Sequence, residues 1–180
     1  MNTHPDNSSV RVFFSLWPKA VEREALVSWQ TALQPLCNGS LMCPDTLHVT
    51  LVFLGELPVG RLEALMLAAA DVSAPRIDLR LDEARYWGHN HILYAAPREI
   101  PAQLRHLVNE LERHLIHHRF KFEAKEYKPH VTLMRNVHWN DEPLPEMLPV
   151  LWSMQEFVLV QSASQNGEAN YRVLAKFPLL

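Results

Sequence analysis

The tetrapeptide HVTL occurs twice in this chain, at residues 48–51 within "TLHVTLVFLG" and at residues 130–133 within "YKPHVTLMRN". Each copy sits in a stretch of strand-forming residues where apolar and polar side chains alternate, the period-two signature of a half-buried strand. In the first, Leu47, Val49, Leu51 and Phe53 make one apolar face, and Thr46, His48 and Thr50 start the opposite face before it turns apolar at Val52 and Leu54. In the second, Val131 and Leu133 face the core, and His130 and Thr132 share the other side. Residues two apart on one strand face lie about 6–7 Å from each other, so each copy offers an imidazole and a hydroxyl within reach of one phosphate-sized group. A spacing of one or three would divide them between faces.

Around these two strands the chain alternates elements. "VRVFFSLWP" reads as a strand with Val10, Val12, Phe14 and Leu16 on one side and Arg11, Phe13, Ser15 and Trp17 on the other. Pro18 suits the first turn of a helix that runs to about Gln34, burying Val21, Ala25, Trp29 and Leu33, with "CNGS" as its stop. After Pro58, a helix is expected through Val59, Leu62, Met66 and Ala69. "RIDLRLDEARYW" and "HILYAA" read as two strands around "GHN", followed by a helix over Pro101 to His118 with Leu104, Val108, Leu111 and Leu115 on one stripe. "RFKFEA", "KPHVTLM", "QEFVLVQS" and "YRVLAKF" complete the strands, the last two as a hairpin across "ASQNGEAN". "NVHWNDEPLPEMLPVLW", with three prolines, is expected to be extended loop. The expectation is a single α+β domain over residues 1–180, each half supplying sheet, helix and one HVTL strand.

Composition narrows the chemistry. A net charge of −3 gives no basic excess for holding long duplex nucleic acid, so a small or short ligand is expected. No apolar run is long enough to span a membrane, and "MNTHPDNSSVRVFF" lacks a signal-peptide pattern, so a cytoplasmic protein is expected. Cys37 and Cys43 lack zinc-site spacing and are expected to be reduced. His114, His117 and His118 have a spacing that can hold a metal, but no H-E-x-x-H accompanies them and histidines suit a helix C-terminus. "HNH" at 89–91 reads as turn and strand residues. No metal or other cofactor is expected.

If the two halves pack about a pseudo-twofold axis, His48 and His130 face one another across a cleft. Imidazole, with an ordinary pKa of about 6.5, exists in both forms near neutral pH. A neutral one can take a proton from water while a protonated one gives a proton to a departing alkoxide, each contributing about 10²- to 10⁴-fold. The threonine hydroxyls can donate to phosphoryl oxygens. Phe13 offers a face for stacking a nucleobase, and Tyr127 and Lys128 could line a substrate path. The competing class is a non-catalytic protein that holds an RNA end or nucleotide in the same cleft.

These motifs, with "RVFFSLWP" near the start and the C-terminal "FVLVQSASQNGEANYRVLAKFPL", resemble the 2H phosphoesterases, in particular their RNA 2′,3′-cyclic phosphodiesterase or 2′-5′ RNA ligase-like branch. The resemblance covers nearly the whole chain. It implies a bilobal α+β fold with a central cleft and metal-independent hydrolysis of 2′,3′-cyclic phosphates, on RNA ends or nucleotides, to 2′-phosphates. It leaves open reversible 2′-5′ ligation. It further implies that His48 is the general acid, His130 the general base, Thr50 and Thr132 phosphate ligands, and Arg135 a cation near the phosphate. Strict alternation opposes Arg135, five residues past His130, unless the strand ends or bends near Met134. A monomer is expected.

Overall fold

A computed structural model describes residues 8–180. Two four-stranded antiparallel sheets and a two-stranded ribbon enclose one continuous buried cluster. The first sheet has the order β10 (Glu168–Pro178), β9 (Glu156–Gln165), β1 (Ser9–Leu16), β3 (Val49–Pro58). The second has the order β2 (Ser40–Leu41), β7 (Val131–Arg135), β6 (Ile92–Ala96), β5 (Glu83–Trp87). β4 (Ile77–Leu81) and β8 (Val150–Met154) form the ribbon. The two HVTL strands, β3 and β7, therefore belong to different sheets, as the alternating pattern implied.

Helices are exchanged between the halves. α1 (Ala20–Cys37) follows β1 yet packs on β7 and β8 of the other half, while α3 (Ala102–His117) packs on β3. α2 (Leu62–Ala70) lies against α3. The buried stripe of α1 is Leu26, Trp29, Gln30, Leu33 and Cys37. Traced back one turn it reaches Glu22 and Arg23, so Val21, expected inside, points outward and is 75% exposed. Pro18 precedes the helix instead of opening it, and Asn38 closes it in the left-handed conformation, φ 48°. Among the described residues none of the three helices is long and apolar enough to cross a membrane. Cys37 and Cys43 are both free thiols.

Four other expectations are corrected. "RIDLRLDEARYW" is two strands, because at Asp82 the chain leaves β8 for β6: the Asp82 amide donates to Ala96 O and its carboxylate accepts from the Arg98 amide. "RFKFEA" is irregular, with a single ladder-like bond from the Glu123 amide to Phe53 O, since Arg119 (φ 60°) and the Phe120 amide are occupied in closing α3. β8 begins directly after Pro149, inside the segment expected to be loop, because the missing proline donor ends at Val150 and β4 supplies a partner. The second helix starts at Leu62, after a 3-10 turn at Val59–Arg61, and buries Leu65, Ala68 and Ala69.

Both HVTL strands carry an extra residue at the same letter. Ser15 pairs with Thr50 and Phe14 with Val52, leaving Leu51 unpaired; Tyr94 pairs with Thr132 and Leu93 with Met134, leaving Leu133 unpaired. Such a bulge inverts the alternation beyond it. Leu51 and Val52 are both buried, as are Leu133 and Met134. Phe53, expected on the core face of its strand, instead joins Phe13, Val158 and Val160 on the outer side of the first sheet. By the same inversion Arg135 reaches the face of His130 and Thr132. The second bulge is braced from behind: buried Gln30 donates from Nε2 to Leu133 O and to Met42 O, each at 2.9 Å.

Candidate active site

A cleft of about 740 Å³ lies between the two sheets, and His48, Thr50, His130, Thr132 and Arg135 all line it. Each histidine stands immediately before the first residue of its strand. There the backbone has turned enough for the imidazole to fold back on its own chain. His48 Nδ1 donates to Thr46 O at 2.6 Å, and His130 Nδ1 donates to Lys128 O at 2.7 Å. A carbonyl can only accept, so Nδ1 carries the hydrogen in both rings and Nε2 is left for chemistry. His48 Nε2 lies 3.0 Å from Thr50 Oγ1.

Burial holds both imidazoles toward the neutral form. For His48 it lowers the pKa to about 4; the bond to Thr46 O opposes this, and repulsion from His130 and Arg135 adds to it. For His130 burial again lowers the pKa, opposed by the Lys128 carbonyl and assisted by Lys125 and Arg135. Each imidazole is thus a competent base at neutral pH, and an acid only where a negative charge is brought beside it.

Aromatic rings fix the orientation of both histidines. Trp17 stacks on His48 at 5.6 Å and 19°, with Phe13 at 5.0 Å and Tyr171 edge-on at 5.4 Å. Trp87 meets His130 at 4.6 Å and 78°, Tyr94 at 5.5 Å and 72°. Phe13 is only 3% exposed, and its ring is engaged by His48 and by Tyr171, so it backs the histidine and offers no free face for a base. Tyr127 lines the cleft and donates to Thr50 O at 3.2 Å, and Lys128 lines it beside Glu126. His89 and Asn90 of the "HNH" stretch also line it. His114, His117 and His118 form no metal-holding group among the described residues.

No sequence pattern points to the aromatic backing as a whole. Trp17 follows Phe13 and Ser15 on a recognised face, but Trp87, Tyr94 and Tyr171 are brought in by strand pairing over long sequence distances, which a linear pattern does not reveal. Nor does any local signal mark Gln30, whose partners lie across the molecule.

A family model described as the 2′-5′ RNA ligase superfamily matches residues 23–166. The RNA 2′,3′-cyclic phosphodiesterase of Escherichia coli K12 is 28% identical over 169 residues, spanning 94% of this chain and 96% of that protein. The enzyme of the same name from Thermus thermophilus is 32% identical over 187 residues, 94% of this chain and 90% of its own. Among solved structures, E. coli LigT complexed with 3′-AMP superposes with a TM-score of 0.86 at 28% identity, covering 96% of this chain and 99% of that one.

Proposed function

The chain belongs to the 2′-5′ RNA ligase superfamily, and from that premise we propose that it hydrolyses a 2′,3′-cyclic phosphate at an RNA or nucleotide end to the 2′-phosphate. The observation that carries this reading is the pair of imidazoles on one cleft, each with Nδ1 tied to a backbone carbonyl and Nε2 left for chemistry. The names of its relatives in E. coli and T. thermophilus support the same reading.

In the proposed reaction His130 Nε2 takes a proton from water, whose oxygen bonds to phosphorus. The bond from phosphorus to the 3′ oxygen breaks, and protonated His48 gives its Nε2 proton to that oxygen. Thr50, Thr132 and Arg135 hold the phosphoryl oxygens as charge grows on them. The bound phosphate supplies the negative charge that His48 needs to be protonated, countering its burial and Arg135. The hydrolysis requires two proton transfers, which the two imidazoles provide without a metal, and exchange with solvent then returns His130 to the neutral form and His48 to the protonated one. One chain supplies every group named, which supports action as a monomer, and two free thiols suit a reducing cytoplasm. With a 5′-hydroxyl in place of water, its oxygen bonding to phosphorus while the bond to the 3′ oxygen breaks and that oxygen takes the His48 proton, the same site would form a 2′-5′ phosphodiester, the ligation suggested by the family description.

Incubating a 2′,3′-cyclic nucleotide with the protein in excess chelator and identifying the product tests the reading. The 2′-phosphate is expected. A 3′-phosphate product, or turnover that chelator abolishes and zinc restores, overturns it; tight binding with no turnover makes the protein a binder.

A further inference from the structure

Four cationic side chains line the cleft: Arg11, Lys125, Lys128 and Arg135. Lys125 lies 3.3 Å from Glu123 and Lys128 3.8 Å from Glu126. Among the described residues neither arginine has an acidic partner within 4.0 Å. The two are not equivalent. Arg135 lowers the proton affinity of both imidazoles, whereas Arg11 stands four residues along β1 from Ser15, the residue paired with Thr50. One cation thus serves the reacting phosphate, and the other is placed for something further off.

The bulges define where. Phe53 and Arg135 each stand five residues beyond a histidine and are each turned to the cleft by the unpaired leucine before them. In one half that position is itself a guanidinium. In the other it is a phenyl ring, and the Arg11 guanidinium lies over it, 4.9 Å from the centroid. Contact with the ring restrains a long side chain while leaving its N–H edge open to an anion. Because of the bulge, Thr50 and Phe53 face Ser15 and Phe13, two residues apart on β1 and about 7 Å at ~3.4 Å per residue, and Arg11 is two residues further, about 14 Å from Ser15. The Arg11 backbone is outside the reach of a phosphate held at Thr50, and its guanidinium, held back over Phe53, falls between the two, about one nucleotide's span from Thr50.

We propose that Arg11, seated on Phe53, binds the phosphodiester on the 5′ side of the terminal nucleotide, so that the preferred substrate is an oligoribonucleotide end and not a free cyclic nucleotide. This rests on the function proposed above for the histidine pair. Ser162, paired with Arg11 on β9 and also lining the cleft, offers a second donor. The neighbour on the other side of Arg11 is Glu56, whose carboxylate accepts from Ser9 Oγ at 2.8 Å. A carboxylate there repels a further phosphate, so the track holds one added nucleotide.

The test compares kcat/KM on cyclic cytidine 2′,3′-monophosphate and on the cytidine dinucleotide and trinucleotide with the same cyclic end, for the wild type, Arg11→Gln and Arg11→Lys. A charged hydrogen bond to one phosphate predicts a preference of about tenfold for the dinucleotide over the mononucleotide. The trinucleotide should add less than about twofold, given repulsion by a facing like charge. Arg11→Gln should lower the dinucleotide value several-fold more than the mononucleotide value, and Arg11→Lys should restore part of the difference. Equal losses on both substrates, no length preference in the wild type, or a preference that grows with every added nucleotide overturns the proposal. If no cyclic substrate is turned over, the proposed function itself fails. Calorimetric binding of a dinucleotide 2′-phosphate then decides the subsite: weaker binding by Arg11→Gln supports it, and unchanged binding overturns it.

Discussion

Acidification should destabilise this protein through His48, and the size of the effect follows from its surroundings. An imidazole in the unfolded chain takes up a proton near pH 6.5, whereas in the folded protein burial delays this to about pH 4. Between those values the unfolded state binds a proton that the native state does not, so stability rises with pH across the window and is lost as pH falls through it. At about 1.36 kcal/mol per pKa unit the full loss is about 3 kcal/mol; water in the cleft makes that a ceiling. Against a typical total of about 5–15 kcal/mol, it is a large share. His48→Asn retains a donor for Thr46 O but cannot titrate. Urea unfolding of both proteins across the window should show the wild type losing about 2–3 kcal/mol more than the variant, by the same conversion. His130 and the other histidines are common to both and cancel. Parallel curves would refute the claim that burial governs His48. Inorganic phosphate, by restoring proton affinity to His48, should bind the wild type more tightly as pH falls through the same window.

The proposed division of roles between the histidines is tested with a substrate whose 3′ leaving group needs no proton: His48→Ala should lose far less activity on it than His130→Ala, while both lose about 10²- to 10⁴-fold on an unactivated 2′,3′-cyclic phosphate. Rescue of His130→Ala instead would reverse the assignment. Gly39→Ala should destabilise the protein by about 1–3 kcal/mol in thermal or urea unfolding, the usual cost of overpacking, because its Cβ would clash with Val137 Cγ2 and lie 2.9 Å from Arg135 O. A neutral result would show that the β2–β7 edge can give way.

The two histidines and two threonines were legible because a strand's period of two is a local rule, and each motif obeys it as far as the threonine. The leucine that follows breaks the rule. Nothing in the letters distinguishes a Leu51 or Leu133 that stays in register from one that is squeezed out of it; that depends on what β1 and β6 offer opposite. Alternation therefore put Phe53 on the wrong face and opposed Arg135, which the bulge at Leu133 brings to the cleft. Long periodic elements such as α3 were clear from spacing alone. β8 was hidden by Pro149, and "RFKFEA" kept strand-like residues without a partner for its backbone.

The matching bulges have a consequence for regiochemistry. A cleft with two identical imidazole–hydroxyl pairs would be degenerate: turned half a revolution, a cyclic phosphate would meet the same groups, and either of its two ring bonds to ribose could open. What lifts that degeneracy must be unlike on the two sides. The paired bulges deliver to the cleft one residue from each half that the tetrapeptide does not dictate, a guanidinium at Arg135 and a phenyl ring at Phe53. In the proposed reaction the repeat would supply the reagents, and the residue just beyond it would break the symmetry that otherwise leaves the ribose without a preferred way round.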